Sequence, residues 1–163
     1  VFFSGLAAFS LFRATKKNKY MKKGREELGR MKNYCKMAGI NAIPMYMVML
    51  AEHQSFKRDT ATTKRHFDES ISTLAKCGLI HLEAIACERA GDFMSTNQED
   101  DFWSHTYYNR SQLRYLEWGA AAKAEQLNDA HNLQNFQFPT DRESGGSNPV
   151  SLRGKNRYDP TTW

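Results

Sequence analysis

The sequence predicts an all-α fold, an α-solenoid of about seven helices arranged as antiparallel helical-hairpin repeats. Apolar residues recur at three- and four-residue steps through residues 1–133, as they do along amphipathic helices. Three glycines, Gly39, Gly78 and Gly119, each separate two helical patterns, and the intervals between them are 39 and 41 residues. A period of about 40 residues with two helices per period is typical of helical-repeat proteins.

The first two predicted helices cover residues 1–12 and 16–38. Residues 1–12 are the most hydrophobic segment, but they are shorter than the roughly 20 residues that a membrane span needs. They also lack the preceding basic segment of a signal peptide, so a buried first helix is the expectation. The start at Val1 indicates a fragment or a processed product. Gly24 and Gly29 are expected to weaken the second helix locally, and the segment between them lacks the Lys-Ser/Thr pair of a phosphate-binding loop.

The third and fourth predicted helices cover residues 40–56 and 65–77, and the polar stretch over residues 57–64 between them contains the turn. Pro44 falls in the first turn of the third helix, where its missing N–H costs little. That helix is apolar nearly all round, which is typical of an inner helix of a solenoid. Its methionines fit either the core or an adaptable groove for a partner.

The last three predicted helices surround the most aromatic part of the chain. An amphipathic pattern covers residues 79–94, and a polar stretch with three acids follows. Asp100 and Asp101 are placed to cap the next helix, which Gly119 ends before a further helix over residues 120–127. The helix before that glycine carries one face of small and aromatic residues that is predicted to form the packing between repeats: Trp103, Tyr107, Ser111, Tyr115 and Trp118.

The helical pattern stops after residue 133. The following stretch contains F-P and S-G-G-S-N-P, which are typical of turns and flexible segments. The predicted domains are therefore a helical-repeat domain over residues 1–133 and a flexible, disordered tail over residues 134–163.

Positive charge is concentrated in one predicted helix. Residues 13–36 hold ten basic and two acidic residues, a net charge of +8, whereas the whole chain has +5. This face is either solvated or a contact surface for nucleic acid, anionic lipid or an acidic protein. It carries no aromatic stacking platform and no recognition-helix motif. The candidate contacts for a polyanion are Lys16, Lys17, Lys19, Lys22, Lys23 and Arg25.

No residue pattern indicates a catalytic, cofactor or metal site. The five histidines fall on different predicted helices or at their ends, and no known nucleophile or zinc motif includes them. Three cysteines without a C-x-x-C pair argue against disulfides and zinc and fit a reducing, cytoplasmic compartment. Cys87 fits the core better than it fits a nucleophile, and ion pairing and capping explain the acids near Arg89. An enzyme would require a perturbed histidine or cysteine that the sequence does not reveal.

Two motifs stand close together in the second half of the chain: E-R-A-G-D-F at residues 88–93, and Y-L-E-W-G-A at residues 115–120 followed by A-K-A-E-Q-L. With these motifs and the tyrosine pair at 107–108, the chain resembles the tetratricopeptide-like helical region of large multidomain signalling ATPases. The opening F-F-S-G-L adds to the likeness, which covers about residues 1–130. In that family the region follows an AAA-type ATPase module and lies beside serine/threonine kinase, histidine kinase or nucleotide-cyclase modules. Only the helical scaffold carries over, since no motif of those modules occurs here.

Two hypotheses follow. The first is a non-catalytic helical-repeat scaffold for protein–protein interaction or intramolecular regulation, a piece of a larger ATP-dependent signalling protein. Its groove, formed by the first helices of successive repeats, would bind a protein partner or adjacent domains of the same chain. The alternative is a polyanion-binding module, for nucleic acid or anionic lipid, that uses the basic helix over residues 16–36 with weak, salt-dependent binding. Neither hypothesis includes a cofactor or a membrane span.

Overall fold

The computed structural model describes residues 1–37, 42–57, 59–97 and 101–133, and these residues form seven α-helices and no strand, as predicted. Gly39, Asp100 and the predicted tail over residues 134–163 lie outside the described residues. The helices are α1 Phe2–Thr15, α2 Asn18–Met37, α3 Ala42–Gln54, α4 Thr60–Lys76, α5 Ile80–Asn97, α6 Asp101–Trp118 and α7 Ala121–His131, and a 3₁₀ turn, Ser55–Lys57, follows α3.

The helices pack as successive hairpins. Helices α1 and α2, α3 and α4, and α5 and α6 are paired, and the second helix of each pair also packs against the helix that follows it. The first helices meet as well, α1 against α3 and α3 against α5. This order of neighbours is the one that stacked helical hairpins have. The superhelical path of a solenoid stays a prediction.

Two glycines allow the paired helices to approach closely. A Cβ atom added at Gly24 of α2 would meet Cδ1 and Cζ of Phe9 at 2.7 and 2.9 Å, and one added at Gly91 of α5 would meet Cδ1 and Cε1 of Tyr108 at 2.6 Å. A ring of the neighbouring helix therefore occupies the space of each missing side chain. Gly24 was expected only to weaken α2, whereas it holds the α1–α2 contact; Gly29 has no neighbour within 4 Å of the corresponding position.

Two other glycines lie between helices. Gly78 follows α4 with φ +67°, and Gly119 follows α6 with φ +89°. Both values lie in the left-handed region, which glycine adopts without a Cβ clash. The N–H of Leu79 bonds back to the carbonyl of Leu74 at 3.0 Å, and the N–H of Ala120 bonds back to that of Tyr115 at 2.8 Å. These bonds satisfy carbonyls at the two helix ends, so each chain reversal is tight.

Helix α4 begins earlier than the sequence pattern predicted. The sequence predicts the turn within the polar stretch over residues 57–64 and a helix from residue 65, but α4 already starts at Thr60. The side chain of Asp59 accepts a hydrogen bond from the N–H of Thr62 at 3.0 Å, which caps the helix. Lys64 and Asp68, one turn apart, form an ion pair at 2.8 Å that supports the polar first turns. A search for apolar spacing misses a start of this kind.

The main core runs through α1 to α6, with α3 at its centre. Val48, Met49 and Ala51 of α3 are completely buried, as expected for an inner helix. Two smaller clusters hold α7 in place: Ala124 packs with residues of α5 and α6, and Leu127 packs with Tyr108. The short last helix thus closes the α5–α6 hairpin.

Candidate functional site: two clefts beside the first helix

A polar cleft of about 440 Å³, here called the inner cleft, opens between the second half of α1 and the C-terminal ends of α5 and α7. In the order of hairpins, α1 and α5 are each the first helix of a pair, and α7 stands where the next pair would begin. The cleft therefore lies mainly on the side of the first helices. Its lining residues are Ser10, Arg13, Ala14, Arg89, Asp92, Ser95, Thr96, Tyr108 and His131.

A buried carboxylate joins the three first helices beneath this cleft. Glu52 of α3 is completely buried and accepts a hydrogen bond from Nη2 of Arg13 at 2.8 Å on one oxygen and from Nε of Arg89 on the other. Arg89 also donates from Nη2 to the hydroxyl of Ser10 at 3.0 Å, which ties α5 directly to α1. A charge this deeply buried is tolerated only when it is paired and hydrogen-bonded. The network therefore fixes the positions of α1, α3 and α5 relative to one another.

The far wall of the inner cleft is a hydrogen-bonded chain that ends at α7. The Tyr108 hydroxyl donates to Oδ1 of Asp92 at 3.0 Å, and Arg89 pairs with the other carboxylate oxygen at 3.2 Å. The His131 ring stacks on Tyr108 with ring centres 3.6 Å apart and planes 15° apart. Burial raises the pKa of Asp92 against the opposing effect of Arg89, and burial lowers the pKa of His131.

The inner cleft offers hydrogen-bonding groups with little net charge. The guanidiniums of Arg13 and Arg89 are balanced by Glu52 and Asp92. Arg13 uses only Nη2 within the described part of the chain, so its other N–H groups remain for a ligand. The hydroxyls of Ser95 and Thr96 donate to a carbonyl of their own helix and can still accept. Such a surface matches uncharged polar groups, among them the amides and carbonyls of an extended peptide.

Helix α6 is held by its tyrosine hydroxyls. Tyr107 donates to Asp68 of α4 at 2.5 Å, and Tyr115 donates to Glu88 of α5 at 2.7 Å. Burial is the largest cause of the raised pKa of both hydroxyls, and the hydrogen bond to the carboxylate adds to it. Tyr107 and Tyr115, predicted as packing residues, are thus both buried, and each hydroxyl is hydrogen-bonded to a carboxylate of a neighbouring helix.

The two tryptophans of the predicted aromatic face are not enclosed with these tyrosines. Trp103 is 38% exposed and lies under Nζ of Lys64, which is 3.8 Å from its ring centre, and Trp118 is 54% exposed and lies beside the His81 ring. The reason is their position in the first and last turns of α6, where fewer neighbouring side chains cover them. Gly78 and Gly119, named with these residues as repeat-packing positions and predicted to separate helices, lie between α4 and α5 and between α6 and α7. Gly39 is outside the described residues.

The six candidate polyanion contacts do not form one surface of free charge. Lys23 pairs with Glu27 at 2.7 Å and with Glu26 at 3.5 Å, so its charge is neutralised locally. Lys19 lies over the Tyr20 ring, with Nζ 4.9 Å from its centre. Lys16 and Lys17 are exposed in the turn between α1 and α2, and the remaining two candidates, Lys22 and Arg25, line a second cleft.

This second cleft, here called the basic cleft, has a volume of about 600 Å³. In the described part of the chain, neither Lys22 nor Arg25 has a carboxylate within ion-pair distance, unlike Lys23 beside them. Nε of Arg25 donates to Nε2 of His53 at 3.2 Å, so Nε2 accepts and carries no proton. The lining residues are Phe12, Asn18, Met21, Lys22, Arg25 and Phe56.

Candidate catalytic groups are scattered among the helices. Cys87 is buried in the core, and burial raises the pKa of its thiol to about 12. Within residues 1–37, 42–57, 59–97 and 101–133 there is no cluster of three or more side chains that could hold a metal ion. Over the same ranges, no helix is both long and apolar enough to cross a membrane.

Sequence reasoning missed the buried acid beneath the inner cleft. Glu52 was not among the candidates, although it is an acid inside an otherwise apolar helix, and such a position signals a buried ion pair. Its partners Arg13 and Arg89 are distant in sequence, so their meeting depends on the stacking of the hairpins. Arg89 and Asp92 belong to the E-R-A-G-D-F motif, which was identified only as part of a family resemblance.

No protein-family model matches the chain, and no match was found among the curated proteins or the solved structures.

Proposed function

We propose that this chain is a non-catalytic helical-repeat scaffold that binds a protein segment, from a partner or from an adjacent domain of its own polypeptide, in the inner cleft. The observation that carries the proposal is the position of that cleft along the first helices α1, α5 and α7. Helical-repeat proteins bind along extended concave surfaces, and we assign that surface to the side of the first helices. The sequence resemblance to the helical region of multidomain signalling ATPases favours a role beside other modules of a larger cytoplasmic protein.

The chemistry of the inner cleft supports a peptide as its occupant. Charges within the network cancel, so the surface does not select a strongly charged ligand. Free N–H groups of Arg13 and the acceptor hydroxyls of Ser95 and Thr96 complement the carbonyls and amides of an extended chain. The network around Glu52 holds these groups in fixed positions before binding, which lowers the entropy lost on association.

A blocking substitution tests the proposal. Thr96→Arg places a long side chain at the rim of the inner cleft, and Thr106→Arg is its matched control on α6, because both threonines are exposed and donate to the carbonyl four residues earlier at 2.7 Å. Proteins captured by the chain from its native cells would be quantified for both variants and the wild type. A specific partner is expected to disappear with Thr96→Arg alone. Equal capture by all three proteins would contradict the proposal.

A second candidate function is polyanion binding through the basic cleft and the neighbouring turn. Lys22 and Arg25, without ion-pair partners in the described residues, favour it, whereas the pairing of Lys23 with Glu27 weakens the contact set. A fluorescent duplex and anionic vesicles would be titrated at low and moderate salt. Affinity that falls steeply with salt and is lost in Lys22→Glu but kept in Lys32→Glu would support this candidate. Affinity that is insensitive to salt or to Lys22→Glu would refute it.

A further inference from the structure

We infer that the basic cleft is a binding site for a single phosphate monoester carried on an aromatic ring, either as a free aryl phosphate or as a phosphotyrosine side chain. The inference rests on the second candidate function, because it uses the same cleft, but it replaces a track for a long polyanion with a pocket for one anionic group.

The charged half of the pocket supports a dianion. Lys22 and Arg25 lie three residues apart on α2, so their side chains share one face of the helix. Nε of Arg25 donates a hydrogen bond to His53, which orients the guanidinium. Its terminal N–H groups can then donate to two oxygens of one ligand. Two neighbouring cations that have no carboxylate partner among the described residues match a phosphate dianion better than a carboxylate with one charge.

The field around the pocket is also positive. The pKa of His53 is lowered by burial first, and then by the positive charges of Arg25 and Lys57. The guanidinium carbon of Arg13 lies 5.3 Å from the centre of the Phe56 ring, which lines the cleft. The two buried acids of α2 and α3 are already paired, Glu52 with Arg13 and Arg89, and Glu27 with Lys23 and Arg30. Among the residues that the structure describes, no acidic side chain lines the cleft itself.

The other half of the pocket is apolar and aromatic. Phe12 and Phe56 meet edge to face with ring centres 5.1 Å apart. Met21, in the first turn of α2, lines the same cleft. Aromatic rings favour such edge and offset contacts with a further ring, and a methionine thioether adapts to an aromatic neighbour. A polyanion backbone would leave this wall unused, whereas a ring that carries a phosphate would cover it while its oxygens reach Lys22 and Arg25.

Calorimetric titration with phenyl phosphate tests the inference. Inorganic phosphate supplies the charge without the ring, and p-cresol supplies the ring without the charge. We expect each to bind at least roughly tenfold more weakly than phenyl phosphate, because each loses one half of the contacts. Lys22→Gln and Arg25→Gln are expected to weaken phenyl phosphate binding by about tenfold or more, since each removes a charge-assisted hydrogen bond. Lys32→Gln, an exposed position of the same helix, is the matched control and should leave the affinity unchanged.

The methionine methyl groups give a second measurement that needs no variant. The chain has seven methionines, and with labelled methyl groups the Met21 signal should shift on addition of phenyl phosphate while that of Met94, buried in the core, stays in place. A phosphotyrosine peptide and its unphosphorylated form then distinguish the two sources of the ligand. If the natural ligand is a phosphotyrosine side chain, the phosphorylated peptide should bind more tightly than phenyl phosphate; if it is a free aryl phosphate, the peptide should bind no more tightly.

The outcomes separate the two claims about this cleft. Phenyl phosphate binding without duplex binding refutes the polyanion candidate and supports the pocket. Duplex binding that needs Lys22, with no binding of phenyl phosphate, overturns the pocket and leaves the candidate. Equal affinity for inorganic and phenyl phosphate, or an unmoved Met21 methyl signal, also overturns the inference.

Discussion

Replacing Gly24 by alanine tests how closely α1 and α2 meet. The added Cβ would stand 2.7 and 2.9 Å from Cδ1 and Cζ of Phe9, inside the range in which carbon atoms repel. The ring cannot move aside into free space, because Phe9 is completely buried and lies beside the rings of His53 and Phe56. Either the ring leaves its preferred rotamer or the two helices separate.

The expected loss follows from two opposing effects. Overpacking a filled core costs about 1–3 kcal/mol, and an enclosed aromatic ring puts this site near ~3 kcal/mol. Alanine in a helix interior offsets about 1 kcal/mol of that. Gly24→Ala should therefore lower the free energy of unfolding by ~2 kcal/mol. Gly29→Ala on the same helix, with no neighbour within 4 Å, should raise it by ~1 kcal/mol. The two variants should differ in Tm by roughly 10 °C.

Urea denaturation followed by far-UV circular dichroism gives the free energies of both variants and the wild type. Introducing Phe9→Leu into the wild type and into each variant completes the double-mutant cycles. The smaller side chain should restore part of the lost free energy of unfolding only when position 24 is alanine. If Gly24→Ala is as stable as Gly29→Ala, the close contact between α1 and α2 is wrong, and so is the position of the basic cleft between them.

Three further results are expected. Gly91→Ala should lower the free energy of unfolding by about 1–3 kcal/mol in urea denaturation, because its Cβ would meet the Tyr108 ring at 2.6 Å; no change would refute that contact. Glu52→Gln should cost about 3–5 kcal/mol in the same assay, because two guanidiniums lose their buried partner; a loss below ~1 kcal/mol would mean that the network is solvated. His131 has a lowered pKa, so the folded state favours the neutral ring; its contribution to stability is complete above the ordinary histidine pKa and is lost as pH falls below that value and through the lowered pKa of the folded state. His131→Phe keeps the ring and should show a smaller decline towards acid than the wild type, and an identical pH dependence would contradict the stacked arrangement.

The sequence predicted the helices well, because their apolar spacing is a local property. The glycines between helices were also visible, since Gly78 and Gly119 stand between two periodic patterns and adopt the left-handed conformation that ends α4 and α6. The start of α4 was missed because Asp59 and an ion pair, rather than apolar residues, stabilise it. Helix propensity alone makes Gly24 a weak point of α2, although it lies three residues after Met21 on the buried face, a position that indicates close contact with another helix.

The clefts were harder to predict because they depend on residues far apart in the chain. Arg13, Glu52 and Arg89 lie on three helices, and no local pattern pairs them. The basic residues over 16–25 were recognised as a charged group, but composition does not show that Glu27 neutralises Lys23 while Lys22 and Arg25 stay without such a partner in the described residues. The packing of the helices determines which basic side chains have an acidic partner, and the sequence pattern does not predict that packing.

Site-specific photo-crosslinking is the most direct test of the inner cleft as a partner-binding site. A benzophenone amino acid would replace Ala14 at the rim of the cleft and, as the matched control, Ala75 at the exposed end of α4. Irradiation in native cells, followed by mass spectrometry of the crosslinked peptides, identifies what lies against each position. We expect one defined protein segment, from a partner or from the same polypeptide, at position 14 and none at position 75. The same products at both positions, or none at position 14, would contradict a scaffold that binds through its first helices.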